Sequence, residues 1–241
     1  MLALARKNTK EFLRDPLNLA FGLGFPIVLI LLLSAIQSSI PVSLFEIDSL
    51  TPGICVFGLS FMSLFSGTII AKDRGSSLLI RLYTSPLRAC DFILAYTLPI
   101  IPISLGQGAV CYLVALILGL EISVGVLFAL IFLLPVSILF IGIGLLAGSV
   151  LSDKQVGGVC GALLTNLSAW LSGVWFDLEL VGGAFKKIAY LLPFVHAVEM
   201  ERAALACDFS EILSHLIWVL GYSAVILTLA VLAFLRQMKR G

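Results

Sequence analysis

Val124-Gly125-Val126-Leu127-Phe128-Ala129-Leu130-Ile131-Phe132-Leu133-Leu134-Pro135-Val136-Ser137-Ile138-Leu139-Phe140-Ile141-Gly142-Ile143-Gly144-Leu145-Leu146-Ala147-Gly148-Ser149-Val150 contains no Asp, Glu, Lys, Arg or His. About 20 mostly apolar residues are enough to cross the roughly 30 Å hydrocarbon layer of a bilayer as a helix. This stretch exceeds that length, so it reads as a membrane span. Five further stretches read the same way: 19–36, 54–71, 92–120, 156–176 and 216–235. None of the six carries an ionisable acid, base or histidine. The expected fold is therefore all-α, a single polytopic membrane domain over residues 1–241 with six transmembrane helices.

The composition agrees. Of 241 residues, 60% are hydrophobic and 12% charged, with a mean hydropathy of +1.13. Soluble domains carry about 25% charge. Such a chain lacks the polar surface to cover itself in water, which excludes a cytosolic enzyme, a disordered protein and a nucleic-acid binder.

Charge placement sets the expected orientation. The positive residues Arg6, Lys7, Lys10, Arg14, Lys72, Arg74, Arg81, Arg88, Lys154, Arg236, Lys239 and Arg240 fall on one side of the expected spans. Only Lys186, Lys187 and Arg202 fall on the other. The positive-inside rule then places both termini in the cytoplasm of a multi-pass plasma-membrane protein. The net charge of +1 thus conceals a molecule positive on one side and negative on the other. The first apolar stretch has a basic flank, but its core is too long for a signal peptide and no small-residue cleavage site follows.

Between the spans, residues 2–15 alternate apolar and basic residues at helical spacing, with Leu2, Ala5, Thr9, Phe12 and Leu13 on one stripe. This predicts an amphipathic helix on the inner membrane surface, ended by Pro16. In the loop 72–91, Leu78, Leu79, Leu82 and Tyr83 have helical spacing between a capping serine and Ser85-Pro86. The segment 177–211 is the largest outer region and predicts short helices. Gly144 with Gly148 and Gly157 with Gly161 have the spacing of close helix packing. Pro26, Pro99, Pro102 and Pro135 predict kinks. The five cysteines form no C-x-x-C pair, and no disulfide is expected.

The missing chemistry narrows the function. There is no G-x-x-x-x-G-K-[ST] loop and no H-E-x-x-H, so neither nucleotide hydrolysis nor zinc catalysis is expected of this chain. It is not expected to be an enzyme, to hold a metal or to bind a cofactor. Carriers driven by protons or ions often place ionisable groups inside the membrane, and the six stretches have none. Gln37, Gln107, Asn166 and Trp170 are the candidate residues of a translocation path.

These features together resemble the ABC-2 type permease subunits of ABC exporters. The resemblance rests on Arg14-Asp15-Pro16 closing a helix before the first span, and on Lys72-Asp73-Arg74-Gly75-Ser76 followed by Leu82-Tyr83-Thr84-Ser85-Pro86-Leu87. The latter is similar to the family's cytoplasmic loop, although Lys72 stands where the family often has Glu. Leu192-Pro193 and His196 through Arg202 resemble its outer helices. The resemblance implies a separate ABC ATPase that binds ATP and Mg, and a second permease chain, identical or paralogous. It also implies a coupling helix in 72–91. Arg74, Ser77, Leu78, Arg81, Leu82, Ser85, Pro86 and, in the second loop, Lys154 would then contact the ATPase. The rival readings are a secondary carrier of small apolar solutes and a non-transporting membrane sensor.

Overall fold

The computed structural model describes residues 2–76 and 89–238, and among them every regular element is helical. The amphipathic segment forms α1 (Leu2–Arg14). The first span is α2 (Pro16–Gln37), α-helical except for a π-helical turn at Ala20–Gly24. Pro26 follows that turn and has no N–H to donate, so the helix accommodates it by widening just before it. Then come α3 (Ile47–Gly75), α4 (Ala89–Thr97), α5 (Ile100–Ile117) and α6 (Val124–Val150). The break at Leu98-Pro99 separates α4 from α5 within the third expected span. A composite helix α7 (153–171) follows, π-helical over Gly157–Leu164. The chain ends with α8 (Leu178–Val181), α9 (Gly183–Leu191), α10 (Pro193–Leu205) and α11 (Phe209–Met238).

Among the described residues, five helices are long and apolar enough to cross a membrane: Pro16–Gln37, Ile47–Gly75, Asp91–Ile117, Val124–Val150 and Phe209–Gln237. The expectation of six is corrected at 156–176. Helix α7 begins with polar Asp153-Lys154-Gln155 and stops at Leu171, and Gly173 then turns the chain with φ +73°. Its apolar helical part is about 16 residues, roughly 24 Å at 1.5 Å per residue. The segment nevertheless accompanies α3 along most of its length. Val156 packs near Gly67, Leu64 near Gly161, and Val174 near Gly53.

The central element is α3, whose most apolar window is 89% buried against 17% for α11. Its partner is α6. A Cβ on Gly144 would lie 2.0 Å from Ser66 Oγ and 2.1 Å from the Ser63 carbonyl oxygen. One on Gly148 would lie 2.3 Å from the Gly67 carbonyl oxygen. Backbones meet only because no side chain intervenes, as the Gly144/Gly148 spacing predicts. The other expected pair does not behave so: nothing approaches Gly157, and Gly161 meets only the side chain of Leu64. The π-helical turn rotates Gly157 off the contact face.

Helix α1 is amphipathic as expected, but its inward stripe is Leu4, Asn8 and Phe12, while Leu13 points outward. Phe12 meets Phe65 of α3 edge to face, ring centroids 5.1 Å apart, and Asn8 donates to the Ala95 carbonyl at 3.2 Å. The protein therefore takes one side of α1 for itself.

The outer segment re-enters the bundle. Phe194, at the start of α10, stacks on Phe140 in the middle of α6 at 6.0 Å. At the other end of α10 the Leu205 carbonyl lies so close to Gly125 that a Cβ there would be 1.8 Å away. Helix α10 thus runs beside α6 from mid-bundle to its end.

A larger side chain at the α3–α6 crossing forces the helices apart. Gly144→Val is expected to lower stability by about 2–3 kcal/mol or to abolish assembly. Gly157→Ala, in open space, should stay within about 0.5 kcal/mol. Thermal unfolding of both variants in detergent, beside the parent, checks this.

Candidate functional site

One end of the bundle collects most of the described basic residues. Asp73, in the last turn of α3, is buried and ties two elements to that turn. Its Oδ1 accepts from Lys7 Nζ of α1 at 2.5 Å, and its Oδ2 accepts from Tyr96 Oη of α4 at 2.8 Å. Lys7 also pairs with Glu11 at 2.9 Å. Partial burial lowers the Lys7 pKa, but its hydrogen bonds to Asp73 and Glu11 outweigh this and hold it above the ordinary lysine value. The carboxylate at this turn is therefore Asp73, next to Lys72.

Arg74 reaches the other way. Its guanidinium donates to the carbonyls of Ser149 and Leu151, where α6 ends and its last carbonyls lack helical partners. Gln237 of α11 donates to the same Ser149 carbonyl. A capping box follows: Ser152 N–H donates to Gln155 Oε1 at 3.0 Å, which starts α7 and sets Lys154 in its exposed first turn. Phe92 of α4 packs on Phe234 of α11 at 5.2 Å. So α1, the end of α3, α4, the 151–153 turn and the end of α11 share one end. Of the residues expected to face an ATPase, Arg74 and Lys154 lie here. Ser77, Leu78, Arg81, Leu82, Ser85 and Pro86 lie outside the described residues.

The four candidate path residues are not brought together. Gln37 closes the 38–46 loop: its Nε2 donates to the Val42 carbonyl at 2.9 Å and its Oε1 accepts from Leu44 N at 3.0 Å and Phe45 N at 2.6 Å. Gln107 is fully buried against Gly58, and its Nε2 donates to Cys111 Sγ at 3.3 Å. Asn166 and Trp170 stand one helical turn apart on the exposed face of α7, where Asn166 Nδ2 donates to the Ala162 carbonyl at 2.7 Å.

The opposite end is pinned differently. Arg202 of α10 pairs with Glu199 at 2.8 Å and donates to the Ser49 carbonyl at 3.3 Å and the Gly173 carbonyl at 3.1 Å. His196 and His215 join α10 to α11 through Nδ1···Nδ1 at 2.9 Å, and His196 stacks on Trp218 at 4.7 Å. Burial lowers the His196 pKa.

The sequence reading missed Glu201. This carboxylate is fully buried, and neither oxygen has a hydrogen-bond partner. It lies outside every apolar stretch, so a search of those stretches for ionisable groups passes over it. The signal was present in the helical register. Phe194, Ala197, Val198, Ala204 and Leu205 form one apolar stripe, and Glu201 falls in the middle of it.

Removing the Asp73 bridge should free α1. Lys7→Met and Tyr96→Phe are each expected to cost about 1.5–3 kcal/mol, the range for hydrogen bonds to a charged group. The double variant should cost less than the sum, because both act on Asp73. A double-mutant cycle by thermal unfolding reads this out.

A search of curated proteins gives no match. The model of the ABC-2 type transporter family matches residues 1–206. This match covers most of the chain, which belongs to the ABC-2 type transporter family.

Proposed function

We propose that this membrane permease works as an exporter subunit, as a dimer, with ATP hydrolysed on a separate ATPase chain that binds ATP and Mg. In this reading the basic end faces the cytoplasm and both termini lie there. The observation that carries it is the bond from Arg74 to the Ser149 and Leu151 carbonyls. Arg74 stands three residues before Ser77, where the expected coupling helix begins. Its carbonyl partners stand just before Lys154, in the second loop assigned to ATPase contact. A push on the coupling loop at Ser77, Leu78, Arg81, Leu82, Ser85 and Pro86 would pass through Arg74 to α6 and α7 together. Asp73 would carry the same push to α1 and α4.

The second chain is placed on α7. Val159, Leu163, Leu167 and Trp170 leave an apolar face exposed, and Asn166 interrupts it with an amide. An amide facing lipid is unfavourable unless protein or water covers it. A partner chain here would cover it and place Asn166 and Trp170 beside the path between the two chains. Gln107, buried inside one chain, and Gln37, bonded into its own loop, would stand further from that path.

The test is co-purification with candidate ATPase chains and transport in proteoliposomes. ATP-dependent efflux is expected, with Arg81→Glu/Leu82→Asp losing at least tenfold in rate. Flux that follows an ion gradient and ignores ATP depletion selects the secondary-carrier reading instead. Leu163→Cys should crosslink between two chains under mild oxidation, and an absence of crosslinked dimer would remove α7 from the interface.

A further inference from the structure

We propose that Glu201 is a proton-binding site inside the bundle, which holds its proton while α10 is packed as seen and releases it when α10 moves and admits water. The inference goes beyond the transport reading and does not depend on an ATPase, since it concerns this chain alone.

The geometry requires a neutral group. Glu201 is 0% exposed, and both carboxylate oxygens lack a hydrogen bond. A buried carboxylate without a partner is so costly that it takes up a proton instead. Burial accordingly pushes the Glu201 carboxyl well above the usual range. Among the described residues no cation offsets this. The adjacent Arg202 spends its donors on Glu199 and the carbonyls of Ser49 and Gly173.

The surroundings form a polar seam between α10, α3 and α5. Cys55 and Tyr112 lie within electrostatic reach of Glu201. Cys111, the neighbour of Cys55, accepts from Gln107. The Tyr112 hydroxyl and Gln107 Oε1 are also buried without partners. Three side chains with unpartnered polar atoms along one seam mark a place that a different arrangement can hydrate. Helix α6, packed on the same helix, brings no titratable residue. The remaining groups near α10 are engaged elsewhere: His215 with His196, Tyr222 with the Leu191 carbonyl, and Lys186 with Glu179. Asp48, Lys187, Tyr190 and Glu211 complete the set and lie on exposed or half-exposed surface.

The position suits a gate. Cys55 is eight residues from the start of α3, and Tyr112 five from the end of α5, so the seam lies about 8–12 Å inside that end of the bundle. Only α10, a short re-entrant helix, would need to shift to wet it. The sign follows from linkage. A carboxyl with a raised pKa in the packed state stabilises that state in acid relative to alkali. As pH rises through the window between the ordinary carboxylate value and the raised one, the packed state loses ground, by up to tenfold per pH unit.

The experiment uses the intact chain in lipid nanodiscs, parent beside Glu201→Gln. Infrared spectroscopy at neutral pH should show the carbonyl band of a protonated carboxylic acid in the parent and lose it in the variant. Cys55 and Cys111 are natural reporters of wetting. Their labelling by a water-soluble maleimide, resolved by mass spectrometry, should rise with pH more steeply in the parent than in Glu201→Gln. The difference should approach tenfold per pH unit. All other side chains are the same in both proteins, so their effects cancel in the comparison. An unchanged infrared band, or the same pH dependence of labelling in both, overturns the proposal. Should Glu201→Gln fail to assemble, Glu201→Asp keeps an acid at the site and must shift the band; an unshifted band also overturns it.

Discussion

The backbone contact between α3 and α6 is the constraint on which the bundle depends. Helices in lipid gain little from apolar burial against each other, because the lipid is as apolar as they are. They gain from close approach, and Ser63, Ser66, Gly67, Gly144 and Gly148 provide it. Ser66 Oγ reaches across to the Ile141 carbonyl at 3.2 Å. Once α6 is fixed to α3 in this way, its two ends become sockets. The carbonyls at Ser149 and Leu151 receive Arg74, and the bare backbone at Gly125 receives Leu205. The elements at both ends of the molecule are therefore positioned by the same crossing.

That arrangement makes α3 a strut between two chemically different ends. Its 29 residues span about 43 Å as a helix. At one end Asp73 and Arg74 hold α1, α4 and the 151–153 turn; near the other, Cys55 borders the seam around Glu201. A long, well-packed helix resists bending, so a displacement at the Asp73–Arg74 turn would be felt at the Glu201 seam as a shift or tilt. Helices α2 and α11 expose half or more of their apolar side chains.

Much of the fold was legible because hydrophobic length is a coarse and sturdy signal. The sixth helix, Val124–Val150, has the bounds read from sequence, and the expected helix over 2–15 became Leu2–Arg14. Others extend past their apolar cores, as α3 does through Asp48 at one end and Lys72-Asp73-Arg74 at the other. Hydropathy sees only the part that lipid requires to be apolar. What it could not show were events set by backbone geometry, such as the π-helical turn that leaves Gly157 without a contact. Helical register was legible but easily misassigned. On α1 the inward stripe is Leu4, Asn8 and Phe12 because the protein, not lipid, selects that face. Of the candidate site, Arg74 was marked for its charge, whereas its geometry follows from the open carbonyls at the end of α6.

Glu201 shows why charge counting by segment has a physical limit. The count assigns it to a polar outer region, where a carboxylate belongs in water. The fold inserts that region into the bundle, so the same side chain meets the conditions of a membrane interior. Re-entry is possible here because α10 satisfies its own backbone as a helix and is enclosed by α3, α6 and α11. Its start is pinned by Phe140 and its end by Gly125, with Arg202 holding the rim. A segment held at both ends and carrying an unpaired acid between them has its least stable point at that acid. Repacking the rest of α10 would not remove this weakness. Only a proton or water can, and the two correspond to different positions of the helix.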